Sequence, residues 1–147
     1  MARQVQQRVA GHGTLGITAL LLAGLAGCGT AETWLPVAGQ VKFGGVPLAK
    51  GTIILYPDAA KGNTAMHEPR GSIEAGHYQI TTHPHEGAPP GWYKVAIIAT
   101  EPSDPKNPYS LPRSLIPEKF AKPDESRLTL EVRRDAPSGT YDFDLNK

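Results

Sequence analysis

Apolar residues fall on alternate positions in short runs along most of the chain, and turn-forming residues separate the runs. In 36–43, PVAGQVKF, the alternating apolar positions are Val37, Val41 and Phe43, and Gly44-Gly45 ends the run. Period-two alternation marks a strand with one buried face. A glycine pair supplies the positive φ angles that a tight hairpin turn requires. The run 51–58, GTIILYPD, is β-branched and aromatic until Pro57-Asp58 stops it. Residues 59–70 read as an exposed loop. The segment 71–82, GSIEAGHYQITT, predicts a hairpin turning at Gly76, with Ile73 before the turn and Tyr78 and Ile80 after it. In 91–100, Tyr93, Val95 and Ile97 share one face of a strand. Residues 101–115 hold four prolines, which excludes a central strand and predicts a long, semi-rigid loop. Residues 116–120, IPEKF, read as a short edge element. In 126–134, Leu128, Leu130 and Val132 point inward while Arg127, Thr129, Glu131 and Arg133 point outward. In 140–146, Tyr141, Phe143 and Leu145 point inward while Asp142 and Asp144 point outward.

Seven or eight short, half-buried strands separated by turns predict an all-β domain over 36–147. The form expected is a single antiparallel β-sandwich of about seven strands with Greek-key connections. No helical stretch suitable as a crossover follows residue 27, so parallel βαβ units are excluded.

The first 27 residues have a different pattern. Arg3 and Arg8 precede an apolar or small-residue run over 15–27, and no acid occurs before Glu32. A basic start, a short apolar run and small residues at its end are the layout of a secretory signal. The run is shorter than the roughly 20 residues of a membrane span. It closes in Leu25-Ala26-Gly27-Cys28, which resembles the bacterial lipobox. That resemblance implies cleavage before Cys28, a diacylglycerol on its thiol and usually an acylated amino group. Two or more acyl chains hold a protein stably on a membrane. Residues 28–35 would then be the lipidated N-terminus and a short tether. The eight residues 29–36 reach at most about 29 Å when extended. Gly29, not Asp, follows Cys28. In bacteria that sort lipoproteins by this residue, the resemblance implies the outer membrane, facing the periplasm or the cell surface.

Cys28 is the only cysteine, so the domain has no internal disulfide and must be held by its core. Loss of residues 1–27 removes two arginines and no acid, and takes the net charge from +1 to −1. Dispersed, nearly balanced charge offers no basic footprint for nucleic acid.

Several spaced residues then read together. They are Val37, Gly39, Val41, Phe43, Gly45, Pro47, Leu48, Gly51, Ile53, Leu55 and Pro57, followed by Gly76, Tyr78, Ile80 and Thr82. The series continues with Gly87-Ala88-Pro89-Pro90-Gly91, Tyr93 and Val95, then Ile116-Pro117, Lys119-Phe120, Ser126, Leu128-Thr129 and Val132. In combination they resemble a large family of small predicted lipoproteins of planctomycete bacteria. Their domain looks like the transthyretin-like (prealbumin-like) or carboxypeptidase-regulatory-like β-sandwich. The resemblance spans about residues 36–145 and implies a fold and a location, but no catalytic residue. The stretch 133–141, RRDAPSGTY, is longer than the short turn the family tends to have before its last strand. Hydroxyisourate hydrolase shares the transthyretin-like fold and ends in Tyr-Arg-Gly-Ser. This chain ends YDFDLNK, so that activity does not carry over.

Candidate chemistry is sparse. His83, His85 and Glu86 fall within four positions, and a His-x-His pair on one strand is a common metal arrangement. Pro84 between them points instead to a solvated turn. His67 and His77 read as surface histidines. Asp142 and Asp144 lie two apart on an outer face, near Glu131 and Arg133 if their strands are neighbours, and cross-strand charge pairing suits them better than calcium. No Gly-x-Ser-x-Gly elbow and no phosphate-cradling loop occur. Trp92 faces away from the core that Tyr93 enters and could stack on a sugar, and Tyr109 sits in the proline-rich loop. The reading is a non-enzymatic, cofactor-free, lipid-anchored envelope lipoprotein, a structural or protein-interaction module. Its partners are the membrane through Cys28 and an envelope protein or glycan. Carbohydrate binding through Trp92 and the outer sheet face, and metal binding through His83, His85 and Glu86, are its alternatives.

Overall fold

Ten strands form the described part of the chain in a computed structural model that covers residues 32–102, 105–107, 109 and 111–146. The signal reading over 1–27, Cys28 and the tether through residue 31 lie outside the described residues. So do residues 103, 104, 108 and 110 of the proline-rich loop.

The strands are β1 (Ala38–Phe43), β2 (Val46–Pro47), β3 (Lys50–Pro57), β4 (Arg70–Glu74), β5 (His77–Gln79), β6 (Thr81–Thr82), β7 (His85–Glu86), β8 (Gly91–Ile98), β9 (Leu128–Val132) and β10 (Phe143–Leu145). Seven of them follow one another in the order β10-β1-β5-β4-β3-β8-β9. The ladders are antiparallel except β1 with β10, which is parallel. The all-β, antiparallel expectation is met. The strands make one continuous sheet that curls into a half-barrel.

Alternation decides what the curl encloses. Ile53 and Leu55 of β3, Ile73 of β4, Tyr78 of β5, Tyr93, Val95 and Ile97 of β8, and Leu130 and Val132 of β9 are all buried. Burying a side chain of this size contributes about 1.5–3 kcal/mol. The predicted inward sets of 126–134 and 140–146 are thus borne out, with Leu128 and Phe143 only partly covered. Phe120 and Ile116 complete the core from outside the sheet.

Both glycine-marked turns have the expected form. Gly44 and Gly45 hold φ of 59° and 81°, and Ala75 and Gly76 hold 49° and 81°, so each is a two-residue turn with left-handed conformation throughout. The first turn does not join the two long strands, however. It leads β1 into the two-residue β2, and β3 then begins on the far side of β4.

Three further expectations are corrected. Residues 116–120 are not an edge strand. A 3₁₀ turn at Glu118–Ala121 and a short helix at Pro123–Ser126 stand there, because Pro117 and Pro123 lack the donors a ladder needs. Residues 71–82 do not run on as one hairpin arm: β5 stops at Gln79, and a second small hairpin, β6–β7, follows. Finally, β10 pairs with β1 rather than β9. The long 133–142 connection carries the chain from one edge of the sheet to the other. The curl still brings those edges together, since the Arg133 amide donates to the Tyr141 hydroxyl at 3.3 Å. Among the described residues no helix is long and apolar enough to cross a membrane.

Candidate functional site

The chain enters the domain through 32–36, ETWLP, and these residues are bound to it more firmly than a tether. Leu35 and Ala88 exchange both backbone hydrogen bonds, each 2.9 Å. Gly87 permits the approach: its φ is +88°, and a Cβ there would collide with the Leu35 carbonyl oxygen. With Leu35 fixed, the half-buried Trp34 lies against β7. Its ring stacks on His85 with centroids 4.4 Å apart and planes 15° from parallel. The ring of His67, from the loop after β3, lies 5.6 Å from Trp34 at a 57° tilt. His67 Nε2 is in turn 3.6 Å from Glu32 Oε2, an exposed pair that attracts only when the imidazole is protonated. Stacked aromatic pairs contribute about 0.5–1.5 kcal/mol beyond their burial. Exposed ion pairs contribute about 1 kcal/mol at most.

The same geometry sets the members of the histidine cluster apart. His83 and Pro84 form the turn of the β6–β7 hairpin, with a cis bond between them. His85 pairs with Thr82 and Glu86 with Thr81. Adjacent strand residues face opposite ways, so the side chains of His85 and Glu86 diverge. Among the described residues no group of three or more His, Cys, Asp or Glu is placed to hold a metal ion. His77 is exposed on β5, opposite Glu74 and Gln40 in the two flanking ladders.

Trp92 is half-buried, and Lys61 Nζ lies 3.8 Å above its ring, over a face that sugar stacking would use. The turn that brings Lys61 there is built by Asp58, which caps it through the Ala60 amide at 3.2 Å. Asn63 secures it by donating to the Trp92 carbonyl at 2.8 Å. Asp142 and Asp144 do not pair with Arg133. Their carboxylates accept from the backbone amides of Gln40 at 2.8 Å and Gly45 at 3.3 Å, pinning β10 to β1. Tyr109 is almost fully exposed.

The buried polar side chains Asp58, Asn63, Thr82 and Ser126 all serve turns or strand ends. Among the described residues no buried side-chain polar atom lacks a partner. Among the described residues four groups have displaced acidities. Burial, and secondarily the charge of Asp142, pushes the Tyr78 phenol well above its ordinary range. Burial likewise raises Tyr93, partly opposed by Asn63. Lys94 and Lys122 are raised by their surface partners Asp124 and Glu125. These are core phenols and surface ion pairs.

Comparison with protein-family models, with curated proteins and with solved structures finds no match to this chain.

Sequence reasoning missed the association of Trp34 with His67 and His85. The three residues come from separate segments, and no local spacing links them. Trp34 beside an entry strand was the one available signal.

Proposed function

We propose that this chain is an exported lipoprotein, held in the cell envelope by acyl chains on Cys28, whose β domain is a non-enzymatic structural or interaction module. The observation that carries the reading is Leu25-Ala26-Gly27-Cys28 at the end of the short apolar run. Support comes from the domain itself, where the buried polar groups are consumed in turns. The finer description, a transthyretin-like Greek-key sandwich of the planctomycete lipoprotein kind, rests on the residues quoted for that resemblance. Gly45, Gly76 and Gly91 hold positive φ, and Tyr78 and Tyr93 fill the core. With Gly29 after Cys28, the outer membrane is the proposed location. A glycan role for Trp92 would need the face that Lys61 covers, and a metal role would need donors that the turn splays apart.

Mass spectrometry of the N-terminal peptide from membrane-extracted protein tests the reading. The expected peptide begins at Cys28 and carries the mass of attached acyl chains. A peptide that begins earlier, or an unmodified Cys28, rejects it.

A further inference from the structure

The strap at 32–36 has a consequence for the anchored protein, one that rests on the lipoprotein reading. Were the chain free up to the first strand, the eight residues 29–36 would allow about 29 Å of reach and any orientation. Leu35 is instead hydrogen-bonded to Ala88, Trp34 is stacked on His85, and Glu32 lies beside His67. The path from Cys28 to Glu32 is four residues, at most about 14 Å.

The strap also lies at one end of the domain. Ala88 lies three residues before the start of β8, and the β6–β7 hairpin and the loop carrying His67 flank the same end. The ladder confirms this, since Pro57, the last residue of β3, pairs with Tyr93 near the start of β8. β8 then runs eight residues, roughly 23 Å, to the opposite end. The proline-rich loop leaves and returns there, its stems held by Glu101 N to Arg113 O and Leu115 N to Ala99 O, at 2.9 and 2.8 Å. The two ends differ in chemistry. Among the described residues, the exposed large apolar side chains Val46, Ile98, Tyr109, Leu111 and Leu115 belong to that far end or its loop, and only Met66 belongs to the strap end. The strap end carries Glu32, His67, His83, His85 and Glu86.

We infer that the Trp34 strap fixes the orientation of the anchored domain, with the polar His83–Glu86 hairpin toward the membrane and the apolar proline-loop end away from it. The lipid on Cys28 supplies attachment. The strap converts attachment into direction, because it removes the slack through which the domain would tumble.

Cys28 is the only native cysteine, so in the lipidated protein an introduced cysteine is the single free thiol. Full-chain protein carrying Glu86→Cys or Tyr109→Cys is processed in cells, labelled with a fluorophore and reconstituted into phosphatidylethanolamine/phosphatidylglycerol vesicles containing headgroup-spin-labelled lipid. The label at 86 should be quenched several-fold more than the label at 109, and Trp34→Ala or His85→Ala should shrink that difference. Equal quenching at both sites, or a difference that neither substitution changes, overturns the inference. Failure of the protein to join vesicles overturns the lipid anchor and the orientation with it. Amide hydrogen exchange of Leu35 and Ala88 in the same protein reports the strap separately. Trp34→Ala should speed it by about tenfold, as expected for a locally opening segment. Unprotected amides in the wild type would show that no strap exists.

Discussion

Tyr78 donates its phenol proton to the backbone oxygen of Tyr141 across 2.6 Å, tying the middle of the sheet to the segment that enters its last strand. Gly39 stands opposite Tyr78 in the β1–β5 ladder. A side chain at 39 would collide with that same Tyr141 oxygen. The absent Cβ and the present hydroxyl are two halves of one contact, which brings Asp142 within reach of the Gln40 amide at 2.8 Å.

Removing the hydroxyl should therefore destabilise the domain without altering its shape. Tyr78→Phe strands a carbonyl beside a buried ring, and a lost buried hydrogen bond costs about 1–3 kcal/mol. Urea unfolding should show a lower midpoint at an unchanged slope. A midpoint equal to that of the wild type would mean the bond is replaced by water.

The same phenol predicts an alkaline weakness. Burial first, then the charges of Asp142 and Tyr141, hold Tyr78 neutral far above the ordinary phenol range. The unfolded chain ionises this group at about pH 10. Its folded-state pKa is raised, so the stability it contributes is complete below about pH 10 and is lost progressively as the pH rises above it. Tyr93 adds a contribution of the same sign. Unfolding free energy should decline above about pH 10, and less steeply in Tyr78→Phe. Parallel declines would assign the effect to other groups.

Gly39→Ala and Gly44→Ala should separate two reasons for glycine. At 39 the cost is collision with the Tyr141 backbone, on the order of 1–3 kcal/mol as for an overpacked site. At 44 nothing lies within 4 Å, but φ is +59°, so the cost is left-handed strain, about 1 kcal/mol. Thermal unfolding should rank 39 well below 44. The reverse order would show that β10 moves aside to admit the methyl group.

The parts of this fold that were legible in the sequence are those set by neighbours in the chain. The Ala75-Gly76 turn and the inward faces of β8 and β9 follow from φ preference and period-two alternation, which act within a few residues. Alternation chooses a strand's face but not its partner, so β10 was expected beside β9 and lies beside β1. In 116–120 two prolines close by outweigh an apolar pattern too short to distinguish strand from helical turn. Trp34 before the first strand suits packing on the domain's edge, but its partners His67 and His85 could not be read, because they meet it only once β6–β7 and the loop after β3 are folded against residues 32–36.

The histidines of the β6–β7 hairpin should bind metal no better than isolated surface imidazoles. A stable site needs three or four converging donors, usually supported by further hydrogen bonds. Here His85 lies flat on Trp34, Glu86 faces away from it, and His83 occupies the turn. Calorimetric titration with zinc should give the same weak binding for the wild type and for His83→Ala/His85→Ala. Tight binding that the double substitution abolishes would require the hairpin to leave Trp34 and gather its donors. The emission of Trp34 would then change on adding zinc. With the stack intact it should respond to His85→Ala and stay unchanged when metal is added.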